Sequence, residues 1–139
     1  LSRGLGDVYK RQGVYDTIVA LRQDGYKIGI VTSDTKKGVT QFLEATQSKH
    51  LFDLVISTET HAEEKPSPKV LDPLFEVYDV KPEHVVIVGD TANDMKTAIN
   101  AQLGLSIGVL TGIAKKEELH EADVIVESAS EVKQVLDKQ

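Results

Sequence analysis

Three short segments of the chain place hydroxyl, ammonium and carboxylate side chains where apolar stretches end. Thr32 and Ser33 follow the run KIGIV, Lys65 lies in EEKPSPK, and Asp90 and Asp94 lie in VGDTANDM. Transfer of a phosphoryl group needs a hydroxyl and a lysine to hold phosphate oxygens. It also needs carboxylates that hold a Mg²⁺ ion to offset the developing charge. The combination favours phosphoryl chemistry with Mg²⁺ as cofactor.

Taken singly, each of these residues has a simpler interpretation. Thr32 and Ser33 would serve equally well at the start of the next helix, where hydroxyls accept free N–H groups. Lys65 alone is typical of a solvated lysine. Asp90 as an N-cap and Asp94 as a first-turn acid would each gain about 0.3–1 kcal/mol from the helix dipole. The prediction of a site therefore depends on the three segments meeting in space.

The elements that must bring these segments together alternate along the chain from Gly13 onward. Short runs that are apolar on both faces predict strands at residues 27–32, 53–57, 84–88, 105–110 and 123–126. Residues at helical spacing predict five helices before, between and after them, with Ser67 and Ser128 as caps. The predicted buried faces are Val14/Ile18/Leu21, Val39/Phe42/Leu43/Thr46, Leu71/Leu74/Phe75/Tyr78, Met95/Ala98/Ile99 and Val132/Val135/Leu136.

This alternation predicts an α/β fold with a doubly wound parallel sheet covered by helices on both faces, in three layers. In such sheets, ligands bind beyond the carboxyl ends of the strands. Thr32 ends a predicted strand, and Lys65 and Asp90 follow predicted strands, so we expect all three at one edge of the sheet.

Composition limits the range of functions. The chain has 139 residues, of which 40% are hydrophobic and 27% charged, as expected for one globular domain. A net charge of −6 argues against nucleic acid or an anionic membrane as a partner. No apolar run approaches the roughly 20 residues of a membrane helix, which favours a cytoplasmic location. The chain has no cysteine, and its four histidines lack metal-ligand spacing.

The first twelve residues, LSRGLGDVYKRQ, show neither strand nor helix periodicity and predict a region separate from the domain at 13–139. They resemble a translated sequencing adapter, in which case the natural protein would continue upstream. A flexible N-terminal tail is the alternative.

The series IVTSD, EEKPSPK and VGDTANDM resembles the second, third and fourth motifs of haloacid dehalogenase-like hydrolases. The KPSP, GDTANDM and Gly-x-x-x-Gly-Val segments are most similar to the phosphoglycolate phosphatase-like branch. The resemblance implies that Thr32, with Ser33 beside it, and Lys65 bind the transferring phosphate. It implies Asp90 as a direct Mg²⁺ ligand, and Asp94 as a group that holds either a metal-bound water or Lys65.

The same resemblance implies that a motif is missing. The first motif of the family, Asp-x-Asp-Gly-Thr/Ser, supplies the nucleophile and the general acid and base. Here Asp7 is followed two residues later by Tyr9, and Asp34 by Lys36, so neither fits. The central first strand and the cap domain are expected to be missing with it. An intact parent would form an aspartyl-phosphate, whereas this fragment is expected to be inactive and poorly stable, with two unpaired strand edges.

Two functions of another class remain open at this stage. One is a receiver-like phospho-acceptor domain, although receivers place their acidic residues before the lysine. The other is a non-catalytic regulatory or binding domain. For the phosphatase, the substrate would be a small phosphorylated metabolite such as phosphoglycolate, pyrophosphate, a nucleotide or a sugar phosphate, and a mutase-type transfer is also open.

Overall fold

The structure is a computed structural model that describes residues 13–32, 34–57, 65–110 and 116–139. The sequence-predicted segment 1–12 and Ser33 lie outside these described residues. Helices and strands alternate in the predicted order. The helices are α1 (Val14–Gln23), α2 (Lys36–Thr46), α3 (Asp72–Val77), α4 (Ala92–Asn100) and α5 (Val132–Asp137), and the strands are β1 (Gly29–Val31), β2 (Leu54–Ile56), β3 (Val86–Gly89), β4 (Leu105–Val109) and β5 (Val124–Val126).

All strand pairs are parallel, but they form two sheets. β1 pairs with β2, and β3, β4 and β5 pair in that order. Within the described ranges, β1 and β3 do not pair with each other. The α/β fold with parallel strands is therefore confirmed, and the sheet is divided between β1 and β3, where the resemblance implied a missing central strand.

Side chains alternate between two helical layers, as expected for strands buried on both faces. In β3, Val86 and Val88 pack in the cluster that contains residues of α1 and α5, whereas Ile87 packs against Met95 of α4. In β1, Ile30 packs against α2. Val31 instead joins the cluster around Leu71 and Leu103 on the opposite face. The three-layer arrangement follows from this alternation.

A cavity of about 390 Å³ separates the two sheets. Its sides are β1 and β3 along their length. One helical layer contributes Ile18 and Leu21, and the other contributes Leu71 and Leu74. The cavity is therefore mainly apolar and lies between the two helical layers.

The strands are shorter than predicted, because side chains and turns replace ladder hydrogen bonds at their ends. The N–H of Ile28 donates to the Asp53 carboxylate at 2.8 Å, and Arg22 binds the same oxygen at 2.6 Å. His84 belongs to a 3₁₀ turn, Pro82–His84, instead of starting β3. The backbone N–H of Gly104 bonds to the carbonyls of Pro82 and Val85 at 3.1 Å each, which fixes this turn.

Two helical predictions need correction. The segment after Ser67 begins as a 3₁₀ turn, Pro68–Leu71, before α3, because Pro73 lacks the N–H needed for a continuous helix. Ile99 is 52% exposed. Asp94 points inward, and five residues at 3.6 per turn place Ile99 about 140° away from it. None of the helices within the described ranges has the length and apolar character needed to cross a bilayer.

Candidate active site

Lys65 and Asp94 form a buried ion pair that joins the two sheets at their carboxyl ends. The Nζ atom of Lys65 lies 2.7 Å from Oδ1 of Asp94, and the two side chains are 9% and 2% exposed. The same Nζ atom donates to the carbonyl of Val31, the last residue of β1, at 3.5 Å. Lys65 therefore contacts the end of β1 and the helix that follows β3.

Asp94 is held by a capping box at the start of α4. Its Oδ2 atom accepts the Thr91 hydroxyl at 2.9 Å and the N–H groups of Asp90 and Thr91 at 3.2 and 3.3 Å. The Asp94 N–H in turn donates to the Thr91 hydroxyl at 3.3 Å. Thr91, not Asp90, is therefore the N-cap of α4, which corrects the simpler interpretation of Asp90.

Gly89 leaves room for the Asp94 carboxylate. A Cβ atom at this position would overlap the Asp94 carboxyl group. The glycine is the last residue of β3 and is buried. Its absent side chain therefore lets the first turn of α4 lie directly against the end of the strand.

Asp90 lies beside this ion pair and is only 3% exposed. Burial raises the pKa of its carboxyl above the usual value, and repulsion from Asp94 raises it further. The positive charge of Lys65 acts in the opposite direction but does not cancel these effects. A cation beside Asp90 would therefore relieve an existing electrostatic cost.

Thr32 lies immediately beyond β1 and is 7% exposed. Its N–H donates to the carbonyl of Ile56 at 3.0 Å, and its hydroxyl accepts the N–H of Asp34 at 3.1 Å. Thr35 caps α2 by accepting the N–H of Gly38, so Thr32 is not the helix cap that its sequence position also allowed. Ser33 lies outside the described residues.

The sequence-predicted residues Thr32, Lys65, Asp90 and Asp94 thus lie at the carboxyl ends of β1 and β3. Sequence reasoning missed Thr91 and Gly89 as residues that position Asp94. The Thr-x-x-Asp spacing is a capping-box pattern that would have identified Thr91. Nothing in the sequence alone indicated the contact of Lys65 with the Val31 carbonyl.

The carboxylate oxygens of Asp90 and Asp94 are of the kind that Mg²⁺ binds. No group of three His, Cys, Asp or Glu side chains forms a metal site within residues 13–32, 34–57, 65–110 and 116–139. Mg²⁺ does not need one, because it commonly binds through one or two carboxylates and completes its shell with water and substrate phosphate. Asp94 already engages Lys65 and Thr91, so Asp90 is the better direct ligand.

Comparisons with known proteins identify the family. Residues 4–107 match the model of haloacid dehalogenase-like hydrolases. The chain is 35% identical over 94 residues to the pyrophosphatase PpaX of Bacillus mycoides (strain KBAB4), an alignment that covers 68% of this chain and 44% of the relative. PpaX of Bacillus cereus (strain B4264) matches at 34% identity over the same shares.

Solved structures give the same result. A predicted phosphoglycolate phosphatase from Haemophilus somnus 129pt aligns with a TM-score of 0.82 and 25% identity, covering 89% of this chain and 56% of that protein. CbbY from Rhodobacter sphaeroides, solved with phosphate, aligns with a TM-score of 0.75 and 26% identity, covering 86% and 54%. The chain thus spans about half the length of the relatives it matches. The chain belongs to the haloacid dehalogenase-like hydrolases.

Proposed function

We propose that the full-length protein containing this chain is a Mg²⁺-dependent phosphatase that acts on small phosphorylated metabolites. The observation that carries the proposal is the buried Lys65–Asp94 pair, 2.7 Å apart, between Thr32 at the end of β1 and Asp90 at the end of β3. A buried ammonium held in this position suits a phosphate oxygen that approaches the same sheet edge.

Lys65 would bind a phosphate oxygen while remaining oriented by the protein. Within the described part of the chain, its three N–H groups exceed its two contacts, which are with Asp94 and the Val31 carbonyl. Asp94 fixes the direction of the ammonium and partly neutralises it. The Thr32 hydroxyl, which already accepts the Asp34 N–H, can donate its own proton to a second phosphate oxygen. Ser33 is proposed as a further phosphate-binding residue on its sequence position alone.

Asp90 would hold the metal. Mg²⁺, when bound, would offset the negative charge that develops on the transferring phosphoryl group. Asp94 would act through Lys65 and through the backbone N–H of Asp90, which donates to its Oδ2 atom. This assigns Asp94 the role of positioning Lys65, which is one of the two roles that the resemblance left open.

The reaction would use an aspartate from the first motif of the family, which this chain does not contain at a matching position. Its carboxylate would form a bond to phosphorus as the bond to the leaving oxygen breaks. The second aspartate of that motif would give its proton to the leaving group. Water, deprotonated by the same residue, would then hydrolyse the aspartyl-phosphate. On this proposal the chain by itself binds but does not turn over substrate.

The substrate class follows from the proteins that the chain resembles. The curated relatives are named as pyrophosphatases and one structural neighbour as a predicted phosphoglycolate phosphatase. Both names describe removal of phosphate from a small molecule. We therefore propose a small phosphate ester or anhydride as substrate, with water as the acceptor.

The full-length enzyme tests the proposal through phosphate release from pyrophosphate, phosphoglycolate and p-nitrophenyl phosphate, with Mg²⁺ and with EDTA. Lys65→Met and Asp90→Asn should each lower kcat by about 10²–10³-fold, the usual effect of removing a group that stabilises transition-state charge. Lys133→Met is the matched control, because this lysine also forms ion pairs but lies on α5 and is 36% exposed. Full activity in EDTA, or in Lys65→Met with unchanged circular dichroism, would contradict the proposal.

A further inference from the structure

The main chain that carries Lys65 is bound to α4 by a side chain outside the three motifs. The Nδ2 atom of Asn100, the last residue of α4, donates to the carbonyl of Pro66 at 2.9 Å. Asp94, in the first turn of the same helix, binds the Lys65 ammonium. The two helix residues are six positions apart, which is about 9 Å along the helix axis. One end of α4 therefore holds the Lys65 side chain, and the other end holds the adjoining main chain.

Residues 65–67 have few other restraints on their main chain. Pro66 has no N–H to donate. Ser67 accepts N–H groups of the 3₁₀ turn that directly follows it, through its side chain and its carbonyl. Among the described residues, Asn100 provides the only long-range hydrogen bond to this stretch of main chain. The position from which the Lys65 side chain extends therefore depends on the Asn100 amide.

The helix itself does not require asparagine at this position. Asparagine is a poorer helix former than alanine. Asparagine is favoured where a helix ends in the left-handed conformation, but here Gln102 has that conformation, with φ of 57°. Asn100 is also exposed, so its side chain adds nothing to the apolar core. The bond to Pro66 is thus the contact that gives the Asn100 side chain a role.

We propose that Asn100 is a positioning residue for Lys65 in the phosphatase reaction. It fixes the main chain beside Lys65, so the ammonium is directed at the carboxyl ends of β1 and β3 before phosphate arrives. Accurate placement matters, because an error of about 1 Å in a reacting group can lower a rate about 10²-fold. The inference rests on the proposed function, since it takes Lys65 as the group that binds the transferring phosphate. Asn100 acts through Lys65 and has no contact with substrate in this scheme.

Turnover of p-nitrophenyl phosphate by the full-length enzyme tests this role. Asn100→Ala removes the donor and raises helix propensity, so α4 should remain folded. It should lower kcat by about 3–10-fold, the factor that corresponds to one net hydrogen bond. Asn100→Asp keeps the shape of the side chain but turns an oxygen towards the Pro66 carbonyl, so it should lose at least as much. Lys96→Ala is the control, because it changes another exposed residue of α4 and should leave kcat unchanged.

A double-mutant cycle separates the positioning of Lys65 from a general effect on the fold. In the Lys65→Met background no ammonium remains to be positioned, so adding Asn100→Ala should change kcat by less than about twofold. A merely structural role would lower kcat by the same factor in both backgrounds. Equal factors, or wild-type kcat in either Asn100 variant, would overturn the inference.

Urea unfolding of the same variants supplies a second readout. The midpoint for Asn100→Ala should stay close to that for Lys96→Ala, because an exposed hydrogen bond contributes little net stability. A loss of activity that merely follows a loss of folded protein would make the role of Asn100 structural, and the inference would be wrong. If Lys65→Met loses activity but Asn100→Ala does not, this inference alone fails. If Lys65→Met keeps full activity, the proposed function fails and this inference fails with it.

Discussion

Replacing Lys65 with methionine tests the ion pair around which the candidate site is arranged. The two side chains are 9% and 2% exposed, with 2.7 Å between Nζ and Oδ1. Removing one partner of a buried pair leaves an uncompensated charge and costs about 3–5 kcal/mol. Asp94 would retain its hydrogen bonds from Thr91 and Asp90, so we expect a loss near the lower limit, about 3 kcal/mol in the free energy of unfolding.

Urea unfolding followed by far-ultraviolet circular dichroism measures this loss. A fixed concentration of trimethylamine oxide should be present in every sample, because this osmolyte favours the folded state of a weakly stable chain. Lys133→Met is the control. Its ammonium pairs with Asp24 and Asp137 at 3.1 and 2.8 Å, but the lysine is 36% exposed. Solvent screens such exposed pairs, so their loss should cost much less than loss of the buried Lys65–Asp94 pair.

The double variant Lys65→Met/Asp94→Asn separates the ion pair from packing. Asparagine removes the buried charge that Lys65→Met leaves behind, so the double variant should lose less than the sum of the single losses. If Lys65→Met costs no more than Lys133→Met, or if the single effects simply add, then the Lys65–Asp94 pair is not the buried, coupled interaction described above.

Three further predictions concern the sheet, the pH dependence and Gly89. Among the described residues, the facing edges of β1 and β3 lack a hydrogen-bonded neighbour, so we expect a broad, weakly cooperative thermal transition or association. A sharp calorimetric transition from a monomer would contradict this. Burial disfavours the charged form of Asp53, but hydrogen bonds from a backbone N–H and Arg22 outweigh this effect and lower the pKa of its carboxyl. The stabilisation of the fold by charged Asp53 should therefore be complete above the unfolded pKa of about 3.9 and disappear as pH falls through the lower folded pKa. The difference in unfolding free energy between the wild type and Asp53→Asn should accordingly be greater at pH 6 than in strong acid, where Asp53 is uncharged. A pH-independent difference would show that the charge is not responsible. Gly89→Ala should lower the free energy of unfolding by about 1–3 kcal/mol, because the added Cβ overlaps Asp94. Gly29→Ala is the control: its Cβ would make ordinary contacts at 3.4 Å or more, so it should cost less in the same urea assay.

The sequence predicted the order of the elements because the periodicity of apolar residues is a local property. Val14, Ile18 and Leu21 are all buried on α1, as their spacing indicated. The prediction that Ile99 is buried was wrong, because the orientation of α4 is set by the contacts of Asp94 rather than by apolar spacing alone. A buried carboxylate that accepts hydrogen bonds from the Lys65 ammonium, the Thr91 hydroxyl and the Asp90 N–H outweighs one isoleucine in deciding which face turns inward.

The candidate site was predictable in its position but not in its contacts. Strand ends in a parallel sheet meet at one edge, so Thr32 and Asp90 were expected to lie near each other. The partners of Lys65 depend on tertiary packing, which sequence spacing does not determine. The resulting contacts, with Val31 and Asp94, are long-range, at 34 and 29 residues.

The division of the sheet and the geometry of the site are connected. Thr32 follows β1 in the two-stranded sheet, whereas Asp90 and Asp94 follow β3 in the three-stranded sheet. Lys65 contacts both sides, through the Val31 carbonyl and the Asp94 carboxylate. One flexible lysine side chain cannot hold two sheets in register as firmly as a continuous hydrogen-bonded ladder. The central strand that the resemblance implies between β1 and β3 would add such ladders and fix the distance from Thr32 to Asp90. We therefore expect the site to bind phosphate more tightly when that strand is present.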